Sequence, residues 1–146
     1  MKVAIASDHA GFDQKAKLAD YIKSLNFDVI DFGPDNNDKV DYPDYAEKVG
    51  RAVSSGNCNF GVLVCGTGVG MAVAANKIKG IRAVNVINPH FAHLSREHND
   101  ANIITLSGRF VELETNKLCI GEFLHTDFEG GRHAKRVEKI KHLEEQ

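Results

Sequence analysis

The chain has no tryptophan, only three prolines and only two methionines among its 146 residues. Cysteine is also scarce. Cys58, Cys65 and Cys119 are odd in number and form no CxxC pair. A disulfide scaffold is therefore not expected, and a reducing cytoplasmic setting is. Neither sign of charge dominates: 18 Lys and Arg face 20 Asp and Glu, for a net charge of -2. Nucleic-acid binders carry a strong basic bias, so no nucleic-acid partner is expected. No apolar run approaches the roughly 20 residues of a membrane span. The opening Met1-Lys2-Val3-Ala4-Ile5-Ala6 meets Asp8-His9 too soon for a signal peptide and reads as a strand. No membrane partner is expected. Repeats, low-complexity runs and linkers are missing as well. What is present, 42% hydrophobic and 26% charged residues, suits one globular domain spanning 1–146.

Within that domain, short apolar runs alternate with helical patterns. Residues 3–6 read as a first strand. Phe12, Lys15, Leu18, Ala19, Ile22 and Leu25 then recur at helical spacing. A strand at 29–32 closes on Gly33-Pro34, and the polar stretch 35–41 is a loop. Asp41 is the expected N-cap of a helix running to about Ser54, with Pro43 in its first turn. Residues 60–65 form the central strand, followed by a glycine turn and a short helix from Met71 to about Lys77. A strand at 81–86, a helix from Asn88-Pro89 through His98, a strand at 103–106 and a helix at 112–124 follow. Gly130-Gly131 breaks the chain before a final charged helix, 132–144. Strands that read as apolar on both faces, alternating with helices, imply a covered parallel sheet. The expected fold is α/β: a Rossmann-like three-layer sandwich with a five-stranded parallel sheet and a C-terminal helix.

Ligands of such sheets bind at the strands' carboxyl ends. Asp8-His9, Cys65-Gly66-Thr67-Gly68 and Arg109 each follow a strand, so all fall on that edge. In Cys65-Gly66-Thr67-Gly68-Val69-Gly70 the glycines leave backbone N–H groups uncovered, which suits a small oxyanion. A thiolate beside those donors and a helix N-terminus is favoured, so Cys65 reads as a nucleophile or base. Cys58 and Cys119 read as structural. A dinucleotide fingerprint does not fit: the glycines stand at 66, 68 and 70, Met71 takes the third glycine's place, and no acid answers about 20 residues on. A P-loop lacks its Gly-Lys-Ser/Thr. His90 and His93 share a helical stretch, yet no residues complete a tetrahedral set, so no metal is expected. His98, in a polar helix end, suits proton transfer. Arg132 and Arg136, four apart, form either a solvated face or, with Arg109 and His9, a phosphate clamp.

Taken together, Asp8-His9-Ala10-Gly11, Asp41-Tyr42-Pro43, Cys65 to Gly70, Ala75-Asn76-Lys77, Gly80-Ile81-Arg82-Ala83, Ser95-Arg96-Glu97-His98-Asn99-Asp100-Ala101-Asn102 and Glu129-Gly130-Gly131-Arg132-His133 resemble, in order, type B ribose-5-phosphate isomerase. That family includes the galactose-6-phosphate isomerase subunits of the lactose pathway. The resemblance covers essentially the whole chain. It implies a cofactor-free aldose–ketose isomerase acting on a small phosphorylated sugar. It also implies a homodimer, or a tetramer, with sites formed between subunits. By position, Cys65 would be the base moving a proton between C1 and C2, and Thr67 would hydrogen-bond the reacting oxygens. The amides of Gly66, Gly68, Val69 and Gly70 would hold the enediolate. His98 would open the furanose ring, and Asp8 and Asn99 would bind hydroxyls. His9, Arg109, Arg132 and Arg136 would bind phosphate or its neighbouring hydroxyls, and Tyr42 would line the pocket. Some branches of the family replace the cysteine with a glutamate just after the turn. Met71 follows Gly70 here, so this chain resembles the cysteine branch. The alternatives left open are a six-carbon substrate (allose 6-phosphate or galactose 6-phosphate), a non-catalytic sugar-phosphate- or nucleotide-binding module, and a cysteine hydrolase.

Overall fold

A computed structural model describes residues 1–145. Its strands are β1 (Lys2–Ser7), β2 (Asp28–Asp31), β3 (Phe60–Cys65), β4 (Ala83–Asn85) and β5 (Ile103–Ser107). Its helices are α1 (Phe12–Ser24), α2 (Tyr42–Ser54), α3 (Val69–Ala75), α4 (Pro89–Asn99), α5 (Leu113–His125) and α6 (Arg132–Leu143). The strands make one parallel sheet in the order β2-β1-β3-β5-β4. The α/β fold expected from the sequence is therefore the fold observed.

Alternation along the strands builds two cores. Val3 and Ile5 of β1, with Val62 and Val64 of β3, meet Leu18 and Ile22 of α1 and Ile120 and Phe123 of α5. Ala4, Ala6 and Leu63 point the other way, onto Val49 and Val53 of α2 and Met71 of α3. Each large core side chain so buried contributes about 1.5–3 kcal/mol of apolar transfer energy. The small alanines of β1 on the α2 side let that layer approach closely.

Three expectations need correcting. Burial on both faces holds for β1, β3 and β5 but not for β2, whose residues are mostly exposed because it lies at the sheet edge. β4 is three residues rather than six. Its approach is a side-chain tie, in which the Arg82 N–H donates to Asn102 Oδ1 at 2.8 Å. Asp41 does occupy the N-cap of α2, but its side chain makes no capping bond. Asn88 is a true cap, accepting from the Phe91 N–H at 2.9 Å.

The topology also fixes where each helix ends. A helix that leaves the carboxyl end of a parallel strand runs back toward the sheet's amino edge. α4 starts near the end of β4 and ends at Asn99, just before the start of β5.

Candidate active site

Cys65 is the last residue of β3, level with Ser107 at the end of β5, and only 5% exposed. The chain turns at Gly68, whose φ of +85° is left-handed. A side chain there would collide with Asn85 Oδ1 and come within 2.9 Å of the Leu106 backbone. Only glycine fits that spot. The turn lets the Gly68 N–H donate to Cys65 Sγ at 3.1 Å, and the Val69 N–H donate to Thr67 Oγ1 at 3.1 Å. The Gly66 carbonyl is held from behind by Ser107 Oγ (2.6 Å) and the Arg109 N–H (3.2 Å). The amides of Gly66, Thr67 and Gly70 find no protein acceptor among the described residues. α3 is only seven residues long, so these individual N–H groups, more than a helix dipole, define the anion-binding character.

Other predicted residues gather round this turn. Asp8 is buried, and its Oδ1 accepts the Gly11 N–H at 3.0 Å. Nδ1 of His9 accepts from the Val40 N–H at 3.4 Å. The Arg109 side chain lies across Gly66, with Nη1 3.5 Å from where a Cβ would stand. Tyr42 seals the far side: its ring would lie 2.6 Å from a Cβ on Gly70. A cleft of about 550 Å³ opens beside the turn, lined by Thr67, Val69, Asn85, Ile87, Ser107 and Phe110. Val69, Ile87, Phe91 and Phe110 expose more than half of their surface on this side.

His98, Asn99, Arg132 and Arg136 are not brought to this turn. His98 and Asn99 end α4, so they sit at the amino edge, where Gly61 N–H bonds the Asn102 carbonyl. Arg132 and Arg136 are exposed on α6, which packs on α4 through a ring stack. The His98 and His133 centroids are 4.2 Å apart and their planes 15° from parallel. A second cleft, about 780 Å³, includes Asn99, Arg82 and Ile140 in its wall.

His98, Glu129 and His133 have ligand atoms within 4.8 Å of one another. Nearly parallel stacked rings hold their in-plane lone pairs in two separate planes, which does not suit convergence on one ion. Two arginines close by add positive charge. His93 bonds Glu97 at 2.9 Å and Thr126 at 3.0 Å. Burial pushes the Cys119 thiol up to about 11 and raises Cys58 despite nearby Lys2, in keeping with structural roles for both.

Sequence reasoning missed the residues that brace the turn. Ser107 ties Gly66, and Asn116 ties the Ser107 carbonyl (2.9 Å) and Gln14 (2.8 Å). Gln14 in turn holds the Val111 carbonyl at 3.0 Å. The signal available was a pair of polar residues at helical positions otherwise facing the core. His133 is a further residue that sequence reasoning does not single out, although it stands beside Arg132 in the Glu129-Gly130-Gly131-Arg132-His133 motif.

A thiol, a hydroxyl, free amides, a carboxylate and an arginine at the carboxyl edge of a parallel sheet define a protein for acid–base chemistry on an anionic substrate. The ribose/galactose isomerase family model matches residues 3–140, and the chain belongs to that family. It is 43% identical over 144 residues to ribose-5-phosphate isomerase B of Escherichia coli, covering 99% of this chain and 97% of that one. Ribose-5-phosphate isomerase B of Clostridium thermocellum superposes with a TM-score of 0.97 at 48% identity, covering 99% of this chain and 98% of the other. The Mycoplasma genitalium enzyme, solved with bound ribulose-5-phosphate, gives 0.96 at 41% identity, with coverage of 99% and 97%.

Proposed function

We propose that this protein interconverts ribose 5-phosphate and ribulose 5-phosphate through an enediolate, with Cys65 as the base. The observation that carries this reading is the turn itself: a thiol sulfur within a loop whose Gly66, Thr67 and Gly70 N–H groups remain available. Isomerisation removes the proton beside a carbonyl, and the developing oxyanion is the costly feature of the transition state. Preorganised N–H donors lower that cost, typically by about 3–4 kcal/mol per donor when removed. Cys65 takes the proton from C2 and returns it to C1. Thr67 Oγ1 bonds the two oxygens between which the second proton passes. Asp8 binds a sugar hydroxyl, Tyr42 walls the pocket, and Arg109 with His9 holds the substrate's far end.

Ribose 5-phosphate is mostly a closed furanose, so an acid–base group must open it first. His98 fits that role in kind but not in place. Cys65 lies level with Ser107, and His98 precedes Ile103 at the other end of β5, about 13 Å away along the strand. A second copy placed with its amino edge against this carboxyl edge would supply His98, Asn99, Arg132 and Arg136. The exposed Val69, Ile87, Phe91 and Phe110 offer apolar surface for such an interface. The reading is therefore of a homodimer with shared sites. Its three unpaired thiols fit the reducing cytoplasm.

Conversion of ribose 5-phosphate to ribulose 5-phosphate by purified protein tests the proposal, with allose 6-phosphate and galactose 6-phosphate run alongside. Cys65→Ala should abolish turnover while sugar-phosphate binding persists. Undiminished turnover in that variant overturns the base assignment. Binding without any conversion by the wild type would favour a non-catalytic module.

A further inference from the structure

His133 has no part in the reaction as described, yet it is one of the two buried residues of α6. Its side chain is 6% exposed, and that of His98 above it is 34% exposed. Gly130 and Gly131, both with positive φ, lead the chain into α6 so that His133 arrives under the end of α4. Hydrogen bonding does not hold the inner ring. Its Nε2 is buried without a partner among the described residues, and the nearest carboxylate oxygen, Glu129 Oε2, is 3.7 Å away. The strap before α6 is anchored separately. The Glu129 N–H donates to the Glu97 carbonyl at 3.1 Å, and Arg96 Nε donates to the Thr126 carbonyl at 3.1 Å. What His133 contributes is a flat, fixed face.

The geometry points to His133 as a positioning residue for His98, a buried platform that fixes the plane of the outer imidazole where it meets the closed sugar ring. This deepens the reading of His98 as the ring-opening acid–base and rests on it. An imidazole on the last turn of a helix otherwise rotates freely. Stacking confines it to one plane and leaves its ring nitrogens at the edge, where Nε2 lies 3.5 Å from Glu97 Oε1. Such alignment matters because small misplacements of a reacting group cost large factors in rate.

Charge supports the same division of labour. The groups facing the pair are Glu97 from α4, Glu129 from the strap, and Arg132 and Arg136 from α6. Burial foremost, then the charges of His98, Arg132 and Arg136, holds His133 below the usual histidine range, and Glu129 pulls the other way. At neutral pH the inner ring is uncharged.

Two rates separate positioning from mere support. Turnover of ribose 5-phosphate needs ring opening. Exchange of solvent deuterium into C1 of ribulose 5-phosphate does not, because that ketose has its 5-hydroxyl phosphorylated and stays open. His133→Ala should lower turnover on the order of ten-fold or more while exchange stays within about two-fold. His133→Phe, which keeps a flat face, should recover most of the loss. Equal losses in both rates, or none in either, overturn the proposal, as does a phenylalanine variant no better than alanine. His98→Asn distinguishes the underlying failure. If it lowers both rates alike, the ring-opening reading itself falls. If it alone is selective, only the positioning role falls. Should His133→Ala fail to fold, proton NMR of the wild type still decides. The His98 Hε1 resonance should lie upfield, in the ring current of His133, and return downfield in a His133→Leu variant. An unshifted resonance overturns the stack in solution.

Discussion

Two inactive variants should restore each other if sites are shared between subunits. Take Cys65→Ala and His98→Asn, each of which disables every site in its own homodimer. In one chain, Cys65 and His98 stand at opposite ends of the sheet, separated by the length of β5, about 13 Å at 3.3 Å per residue. Proton transfer to one bound sugar requires both groups within hydrogen-bond reach. In a mixed dimer, one site combines the two mutated residues and is dead. The other combines Cys65 of the second variant with His98 of the first and is intact. Random exchange of subunits makes half of the dimers mixed, each with one working site of two, so activity should recover to about a quarter of the wild-type rate. The assay is ribose 5-phosphate turnover after the two variants are mixed, mildly unfolded together and refolded. Each variant treated alone is the control. Recovery no greater than the sum of the separate variants refutes the shared site.

Other outcomes follow from single contacts. Gly68→Ala forces a left-handed alanine, about 1–2 kcal/mol, and presses its Cβ on the Leu106 backbone, adding about 1–3 kcal/mol. Urea unfolding should show the combined loss, and turnover should fall with it; a midpoint like the wild type's would contradict the geometry. Gly70→Ala presses first on the Tyr42 side chain, which supplies the three nearest atoms and is partly exposed, so adding Tyr42→Ala should relieve its stability defect in a double-mutant cycle. Because His133 is held below its unfolded value of about 6.5, the unfolded state binds the extra proton as pH falls below that value. Stability should therefore decline from pH 7 toward pH 5, and His133→Phe should flatten that decline in urea midpoints. At neutral pH iodoacetamide should modify Cys65 first and abolish turnover in step, with sugar phosphate protecting. Equal labelling of Cys58 and Cys119, whose thiols burial keeps protonated, would count against that order.

Much of this arrangement is legible in the sequence, because one rule governs it. In a parallel sheet with helical crossovers, residues that follow strands share the carboxyl edge. Cys65 ends a strand and Asp8 and Arg109 follow one, so their meeting is readable from the order of elements alone. The same rule, carried one step further, expels His98. It ends the helix that returns from β4, so it belongs to the amino edge, however well its chemistry suits the site. Resemblance to an enzyme family named His98 as a partner of Cys65, and topology forbids that partnership within one chain. The proposed site shared between two copies reconciles the two statements, and the subunit-mixing assay above tests it. The limits of legibility have a similar cause. β2 and β4 were misjudged because burial at a sheet edge depends on neighbours that periodicity does not encode. The bracing by Gln14, Ser107 and Asn116 links three elements far apart in sequence. The His98–His133 stack depends on the path of residues 126–131, a strap without regular spacing, so nothing in the pattern of either helix announces it.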